Sequence, residues 1–118
     1  MAKILVLDDD HTFRRNICKA LAGRGYEVFP TERGEEAIRL AGEKSFDAAL
    51  IDMRMPGMDG IQVLKGLKEI QPTIMGIILT GYGSIPDAVK CIKMGGCHYL
   101  TKPCDMEEIE EILRSIPR

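Results

Sequence analysis

The chain has 118 residues, a length that fits one domain, and we take residues 1–118 as that domain. Apolar residues make up 45% and charged residues 29% of it, and no apolar run is long enough to span a bilayer, so we expect no contact with a membrane. A net charge of −2, with basic residues scattered along the chain, argues against direct nucleic-acid binding. The N-terminus lacks the apolar stretch of a signal peptide, which predicts a cytoplasmic location.

Five short apolar runs alternate with polar or glycine-containing segments, and the first, third and fourth of them suit central strands that are covered on both faces. In chain order these runs are residues 4–7, 28–29, 48–51, 77–79 and 99–100. The second and fifth runs are short and flanked by polar groups, which favours positions nearer the edges of the sheet.

Between the runs the apolar spacing changes to about 3.6 residues, the period of an amphipathic helix. The apolar residues at this spacing form five groups, one for each predicted helix: Phe13, Ile17, Ala20 and Leu21; Ala37, Ile38, Leu40 and Ala41; Ile61, Leu64 and Leu67; Ile85, Ala88, Val89 and Ile92; and Met106, Ile109, Ile112, Leu113 and Ile116. Strict alternation of strand and helix predicts an α/β fold, a doubly wound parallel sheet with five strands, five helices and right-handed crossovers.

The four cysteines show neither a C-x-x-C pair nor histidine partners at zinc-finger spacing. They are Cys18, Cys91, Cys97 and Cys104. This arrangement favours buried free thiols over metal ligands or a disulfide framework.

Polar side chains follow four of the five predicted strands at their carboxyl ends. They are Asp8, Asp9 and Asp10 after the first strand, Asp52 after the third, Thr80 after the fourth, and Thr101 and Lys102 after the fifth. In a doubly wound sheet ligands bind at this rim, so we expect these four loops to converge on one site.

Carboxylates brought together at one rim repel each other unless a cation joins them, which implies a divalent metal. Oxygen ligands and a shell shared with phosphate suit Mg²⁺. We assign Asp9 and Asp52 as direct ligands and Asp8 as a ligand through water. The alternative is that acids after a strand only cap the next helix, which would suit Asp10 or Thr12.

Asp52 is also the best placed nucleophile, because a carboxylate beside such a metal can attack phosphorus and form an acyl phosphate. Proline and two glycines in residues 53–60 predict a tight loop after it. Lys102 offers a compact cation that could pair first with a carboxylate and then with a phosphoryl oxygen, unless it is only a surface lysine.

Taken together, these motifs resemble the receiver domains of two-component response regulators across essentially the whole chain. The motifs are Asp8-Asp9, Asp52 with residues 55–60, Thr80-Gly81 and Lys102-Pro103, in the family's order and approximate spacing. The resemblance implies a flavodoxin-like sheet with strand order 2-1-3-4-5. It also implies a signalling domain that catalyses only its own phosphorylation and dephosphorylation.

The resemblance assigns the site residues one by one. A partner histidine kinase would phosphorylate Asp52, Asp8 and Asp9 would form the acid pocket, and the backbone carbonyl of Arg54 would bind Mg²⁺. Thr80 matches the hydroxyl that turns toward the phosphoryl group, and Lys102 matches the lysine of the family, with a cis peptide before Pro103.

Tyr99 matches the aromatic residue that moves between outward and inward positions when a receiver is phosphorylated. The face made by the fourth helix, fifth strand and fifth helix would then contact a second copy in a homodimer, or an output partner. The output implied is transcription regulation by a DNA-binding domain absent from this chain.

Two details separate this chain from the commonest pattern. Cys104 follows Lys102-Pro103, where the family often has phenylalanine. Residues 79–85 resemble redox-responding regulators with a Fis-like helix-turn-helix output, whereas residues 53–60 also suit nitrogen-type activators.

Two other functions fit parts of the same sequence. Asp8, Asp10 and Thr12 fit the D-x-D-x-T motif of haloacid-dehalogenase-type phosphatases, with Asp8 as nucleophile and Asp10 as general acid, but that family needs a further acidic pair after a later strand. A docking module that never meets phosphate usually loses one of the acids, the threonine or the lysine, and this chain keeps them all.

Overall fold

The computed structural model describes residues 2–81 and 84–116, in which five strands alternate with five helices. In chain order they are β1 (Lys3–Leu7), α1 (His11–Gly23), β2 (Glu27–Thr31), α2 (Gly34–Ala41), β3 (Ala48–Asp52), α3 (Gly60–Ile70), β4 (Met75–Thr80), α4 (Ile85–Met94), β5 (Cys97–Thr101) and α5 (Met106–Arg114). Each predicted apolar run lies inside one of these strands. The structure extends every one of them by at least one residue.

The strands form one parallel sheet in the order β2-β1-β3-β4-β5, which confirms the predicted topology. Register aligns the carboxyl ends of the central strands: Leu7 pairs with Ile51, and Asp52 pairs with Leu79. The residues that follow β1, β3 and β4 therefore meet at one rim, as the sequence predicts.

Helices cover both faces of the sheet and create two apolar layers. Helices α2, α3 and α4 contribute to the layer that contains Leu5 and Ile51, and α1 and α5 contribute to the layer that contains Val6 and Leu50. Alternate residues of one strand enter opposite layers, which explains why the central strands read as continuous apolar runs. None of the helices in the described ranges combines the length and apolarity needed to cross a bilayer.

The apolar stripe predicted for α4 does not face the core. Ile85 is 81% exposed and Ile92 is 72% exposed, while Cys91 is the one residue of this helix that is fully buried. The 3.6-residue spacing correctly indicated a helix, but periodicity alone does not say whether an apolar stripe meets the sheet or a surface that a partner could cover.

Strand β2 lies at one edge of the sheet and contains Pro30. The Glu27 amide donates to the carbonyl of Ala2, and the Thr31 carbonyl accepts from the Asp8 amide, so these alternate residues of β2 face β1. Pro30 is one residue before Thr31, so its backbone faces the opposite way, toward the open edge of the sheet. Its lack of an N–H therefore removes no hydrogen bond between β2 and β1.

The prediction of four free thiols is wrong for two of them. Cys91 in α4 and Cys97 in β5 form a disulfide with their Cα atoms 5.4 Å apart, whereas Cys18 and Cys104 are free and half-buried. The sequence did not predict this disulfide, because a separation of six residues matches none of the cysteine spacings that are typical of metal sites or redox motifs. The two residues meet only because the chain reverses between α4 and β5.

The loop after Asp52 is closed tightly against α3. The Asp59 side chain caps that helix by accepting from the Gln62 backbone amide at 2.8 Å, and the Asp59 backbone amide donates to Oε1 of Gln62 at 2.9 Å. Gly60 begins the helix, and a Cβ there would lie 2.9 Å from the Asp52 carbonyl oxygen and 3.0 Å from Cα of Met53. Only glycine lets α3 start this close to the strand.

Gly60→Ala is therefore expected to lower the free energy of unfolding by about 2 kcal/mol, because the added methyl group meets backbone that cannot move aside. Thermal denaturation should show a Tm lower by roughly 10 °C. Gly23→Ala is the matched control, since a Cβ at Gly23 would meet nothing within 4 Å. Equal Tm values for the two variants would show that the contact at Gly60 is not restrictive.

Candidate functional site

Three carboxylates meet where β1 and β3 end. Asp8, Asp9 and Asp52 each offer an oxygen, and these atoms all lie within 4.8 Å of one another. Asp8 is 1% exposed and Asp52 is 9% exposed, whereas Asp9 lies at the surface. The three acids that the sequence placed at this rim are thus together, with the two buried ones below the exposed one.

Lys102, which follows β5, reaches across the rim to the two buried carboxylates. Its Nζ lies 3.0 Å from Oδ2 of Asp8 and 3.6 Å from Oδ1 of Asp52. The Lys102-Pro103 peptide is cis, and the Lys102 amide donates to the Thr80 carbonyl at 2.7 Å. The alternative of a free surface lysine is therefore excluded, because this ammonium group is paired inside the site.

The surroundings of Asp52 favour its protonated form. Burial, followed by the neighbouring Asp8 carboxylate, raises the pKa of Asp52 to about 6, although Lys102 and the Arg54 amide, 3.5 Å from Oδ1, oppose this rise. The single positive charge of Lys102 does not neutralise the negative charges of the three carboxylates. The site carries an excess of negative charge at neutral pH.

These donors fit a hard divalent cation. Carboxylate oxygens are the ligands such ions prefer, and the exposed Asp9 leaves one side of the cluster open to water and to phosphate oxygens. A cavity of about 190 Å³ lies on that side, lined by Asp9, Glu32, Arg33 and Pro56. A cation placed among the acids would offset the burial and the Asp8 charge that together raise the pKa of Asp52.

The residues predicted to respond to the site lie along β4 and β5. Thr80 ends β4, is fully buried and pairs with Thr101 in the sheet. Tyr99 is half-buried against the α4 side of the core, and its hydroxyl accepts from the Ser84 amide at 3.4 Å. Tyr99 thus touches the residue that caps α4.

Two site residues were not found from the sequence, and both belong to the first turns of α1. The Lys102 ammonium lies 4.2 Å from the centre of the Phe13 ring, a cation–π contact. Arg14 donates from Nη1 to the carbonyl of Asp8 at 2.7 Å. The available signal was an aromatic and a basic residue three and four positions after the acidic run, since the first turn of a helix lies close to the loop that precedes it.

The local geometry argues against the phosphatase alternative. Asp10 is the N-cap of α1, where its side chain accepts from the Phe13 amide at 3.1 Å, so this carboxylate points to the helix and not to the site. His11 is exposed, and its Nδ1 lies 3.1 Å from Nη2 of Arg14. Neither group occupies the position of a general acid beside Asp8.

Comparisons with known proteins agree with this geometry. A family model described as "Response regulator receiver domain" matches residues 4–114. The chain is 40% identical over 107 residues to the transcriptional regulatory protein ZraR of Klebsiella oxytoca, covering 91% of this chain but 24% of that protein. It therefore spans about a quarter of the length of this curated relative.

Solved structures show the same fold with metal and phosphoryl groups. A response regulator from Burkholderia pseudomallei with a phosphorylated aspartic acid, calcium ion and citrate superposes with TM-score 0.90 at 33% identity, over 98% of this chain and 68% of that one. The regulator TrrA of Thermotoga maritima, in complex with Mg²⁺-BeF, gives TM-score 0.84 at 27% identity, over 97% of both chains. The chain belongs to the response regulator receiver family of two-component signalling, whose members take a phosphoryl group on an aspartate at a metal-binding acidic site.

Proposed function

We propose that Asp52 is the phosphoacceptor of a cytoplasmic receiver domain formed by residues 1–118, and that a histidine kinase donates the phosphoryl group in a Mg²⁺-dependent reaction. One observation carries this proposal. The carboxylates of Asp8, Asp9 and Asp52 lie within 4.8 Å of one another, beside the Lys102 ammonium. Of the three acids, Asp52 alone ends the central strand of the sheet.

The proposed reaction is a displacement at phosphorus. A carboxylate oxygen of Asp52 attacks, the bond from phosphorus to the kinase histidine nitrogen breaks, and that nitrogen keeps the electron pair. When bound, Mg²⁺ supplies charge neutralisation and polarises the phosphoryl oxygens. Asp9, Asp52 and the backbone carbonyl of Arg54 would hold it directly, with Asp8 acting through water.

Lys102 is proposed to change partners during this reaction. Its ammonium group pairs with Asp8 and Asp52 at rest, and a phosphoryl group on Asp52 would bring three stronger acceptors to the same place. Thr80 would turn its hydroxyl to the same oxygens, and Tyr99 would move into the space this leaves. The result is a shift in the population of two arrangements of α4.

The surface that we propose for a second copy or an output partner is the face of α4, β5 and α5. Its support is the exposed apolar stripe of α4, in which Ile85, Val89 and Ile92 lie outward. Such a stripe on a small domain marks a contact surface. We propose no nucleic-acid or membrane contact for this domain, and transcription regulation through a separate DNA-binding domain, as the name of the ZraR relative suggests.

The test is intact-mass spectrometry after incubation with acetyl phosphate, with and without Mg²⁺, on wild type, Asp8→Asn and Asp52→Asn. We expect one phosphoryl adduct that requires Mg²⁺, that hydroxylamine removes as it removes acyl phosphates, and that persists at a reduced level in Asp8→Asn. An adduct lost completely in Asp8→Asn but formed in Asp52→Asn would favour the phosphatase function. No adduct in wild type would favour a docking module.

Thr80→Ala is expected to permit phosphorylation while weakening the response of α4. The hydroxyl is lost, but the Thr80 carbonyl that accepts from the Lys102 amide remains. Amide hydrogen exchange of residues 85–94 should change with beryllium fluoride and Mg²⁺ in wild type and change much less in the variant. Thr73→Ala, at an exposed position before β4, is the control. A full response from Thr80→Ala would remove this residue from the switch.

Mg²⁺ affinity is expected to fall as the solution becomes more acidic than pH 6. Because the pKa of Asp52 is raised to about 6, a proton competes with the metal well above the range of an ordinary carboxyl group. At pH 5 roughly one Asp52 in ten is ionised, so the Mg²⁺ association constant should be about tenfold lower than at pH 7.5. Titration calorimetry at both pH values measures the change, and equal association constants at pH 5 and pH 7.5 would contradict it.

A further inference from the structure

The disulfide between Cys91 and Cys97 fastens the end of α4 to the start of β5. Cys91 is fully buried under the helix, and Cys97 is half-buried at the first position of the strand. Between them the chain reverses through Gly95 and Gly96, both at positive φ. The bond therefore closes the connection that sets how far α4 can move relative to the sheet.

The other end of α4 is joined to the same strand. Tyr99 accepts a hydrogen bond from the Ser84 amide at the N-cap of α4. Cys97 and Tyr99 are two residues apart in β5, so their side chains lie on the same face of the sheet, and both pack in the core layer that contains Cys91. The disulfide and the proposed switch residue thus hold the two ends of one helix.

Packing holds α4 less firmly than its neighbour. It buries one residue fully, Cys91, whereas α3 buries five. A helix with so little buried surface opens or shifts at low free-energy cost, so a covalent link at its end has a large influence on its position.

We propose that Cys91 and Cys97 form a reversible oxidation site, at which a peroxide-class oxidant restrains α4 and so limits its response to phosphorylation of Asp52. This inference rests on the function proposed above for Asp52 and Tyr99. The dithiol form leaves α4 free to repack, and the disulfide form holds it in the arrangement seen here.

The chemistry of the site balances with a hydroperoxide as oxidant. The thiolate of Cys97, the more exposed of the two, attacks one peroxide oxygen, the O–O bond breaks, and the leaving oxygen departs as water or an alcohol. The Cys91 thiolate then attacks the sulfenic sulfur of Cys97, the S–S bond forms, and water leaves. The two sulfurs supply two electrons in all, and their two protons end in the released products.

Reduction proceeds by thiol–disulfide exchange with a small dithiol. Its first thiolate attacks the sulfur of Cys97, Cys91 leaves as a thiolate and takes a proton, and the second thiol releases Cys97. The dithiol becomes a cyclic disulfide. The other two cysteines, Cys18 and Cys104, are free thiols outside this bond, and burial raises the pKa of both.

Linkage makes the proposal quantitative. If the disulfide lowers the equilibrium constant for the phosphorylated arrangement of α4 by some factor, then phosphorylation must raise the equilibrium ratio of dithiol to disulfide by the same factor. A coupling of about tenfold lies within the usual range for two linked sites. The thiol equilibrium is therefore a readout of the switch that does not depend on any output domain.

The experiment equilibrates the wild-type chain in graded mixtures of reduced and oxidised dithiothreitol, traps thiols by alkylation, and counts them by intact mass. We expect one two-electron transition, shifted about tenfold toward the dithiol when Mg²⁺ and beryllium fluoride are added. The Cys18→Ala/Cys104→Ala variant should behave identically. Cys97→Ala should show no transition, and hydrogen peroxide should remove two hydrogens from the reduced wild type but not from this variant.

Two results would overturn the proposal. Either the disulfide does not form at any dithiothreitol ratio, or its equilibrium does not move with beryllium fluoride. A parallel sample of reduced wild type with acetyl phosphate separates the causes: an adduct together with an unmoved thiol equilibrium overturns the coupling alone, whereas no adduct overturns the proposed function and this inference with it.

Discussion

Replacing Asp52 by asparagine is expected to abolish phosphoryl uptake from acetyl phosphate, a loss of roughly a thousandfold or more. The amide oxygen is a poor nucleophile and carries no charge to offer the metal. Asp8 and Asp9 do not substitute for it, since they follow the neighbouring strand and do not end the central one. Intact-mass spectrometry with Mg²⁺ present measures the adduct directly.

The control for this variant is its stability. Because the pKa of Asp52 is raised, ionised Asp52 weakens the metal-free fold: the stability that a proton provides is complete below about pH 4 and is lost as the pH rises through 6. At pH 7 asparagine avoids that cost, so the Tm of the metal-free variant should equal or exceed that of wild type. Glu69→Gln, which removes an exposed carboxylate of α3, should take up phosphoryl normally. An adduct on folded Asp52→Asn would assign the nucleophile to another residue.

Replacing Lys102 by methionine is expected to change phosphorylation and metal binding in opposite directions. The ammonium group stabilises charge that develops on the phosphoryl oxygens, and the loss of one such donor slows comparable reactions by about a hundredfold. The same group competes with Mg²⁺ for Asp8 and Asp52, its partners at 3.0 and 3.6 Å, so its removal should tighten Mg²⁺ binding. Rates at saturating Mg²⁺ and calorimetric titration separate the two effects.

Methionine keeps much of the apolar length of the lysine side chain and removes the ammonium group, together with its contact to the Phe13 ring. Lys65→Met, at an exposed position of α3, is the matched control. Should Lys102→Met be phosphorylated at the wild-type rate, the lysine would be only a counter-ion of the resting site.

The position of the site followed from the sequence because topology determines it. Once five apolar runs are assigned to a parallel sheet, the polar residues after β1, β3, β4 and β5 must share one rim, and the distances between Asp8, Asp52 and Lys102 bear this out. No side-chain detail was needed. The register of the central strands alone brings these residues together.

Features that depend on tertiary contacts were not accessible in the same way. The pairing of Cys91 with Cys97 and the contact of Phe13 with Lys102 join residues whose relation appears only when the loops have their final path. The exposed stripe of α4 was ambiguous for a different reason: apolar periodicity marks a surface that avoids water, and either the sheet or a partner protein can provide that cover.

Pro30 in β2 restricts how this domain can associate with other chains. A strand added to the β2 edge would need the N–H that proline lacks, at a position whose backbone faces outward, so a continuous intermolecular ladder cannot form there. The other edge of the sheet is β5. Any aggregation or domain swapping by strand addition is thereby directed to β5, the strand that also carries Cys97 and Tyr99.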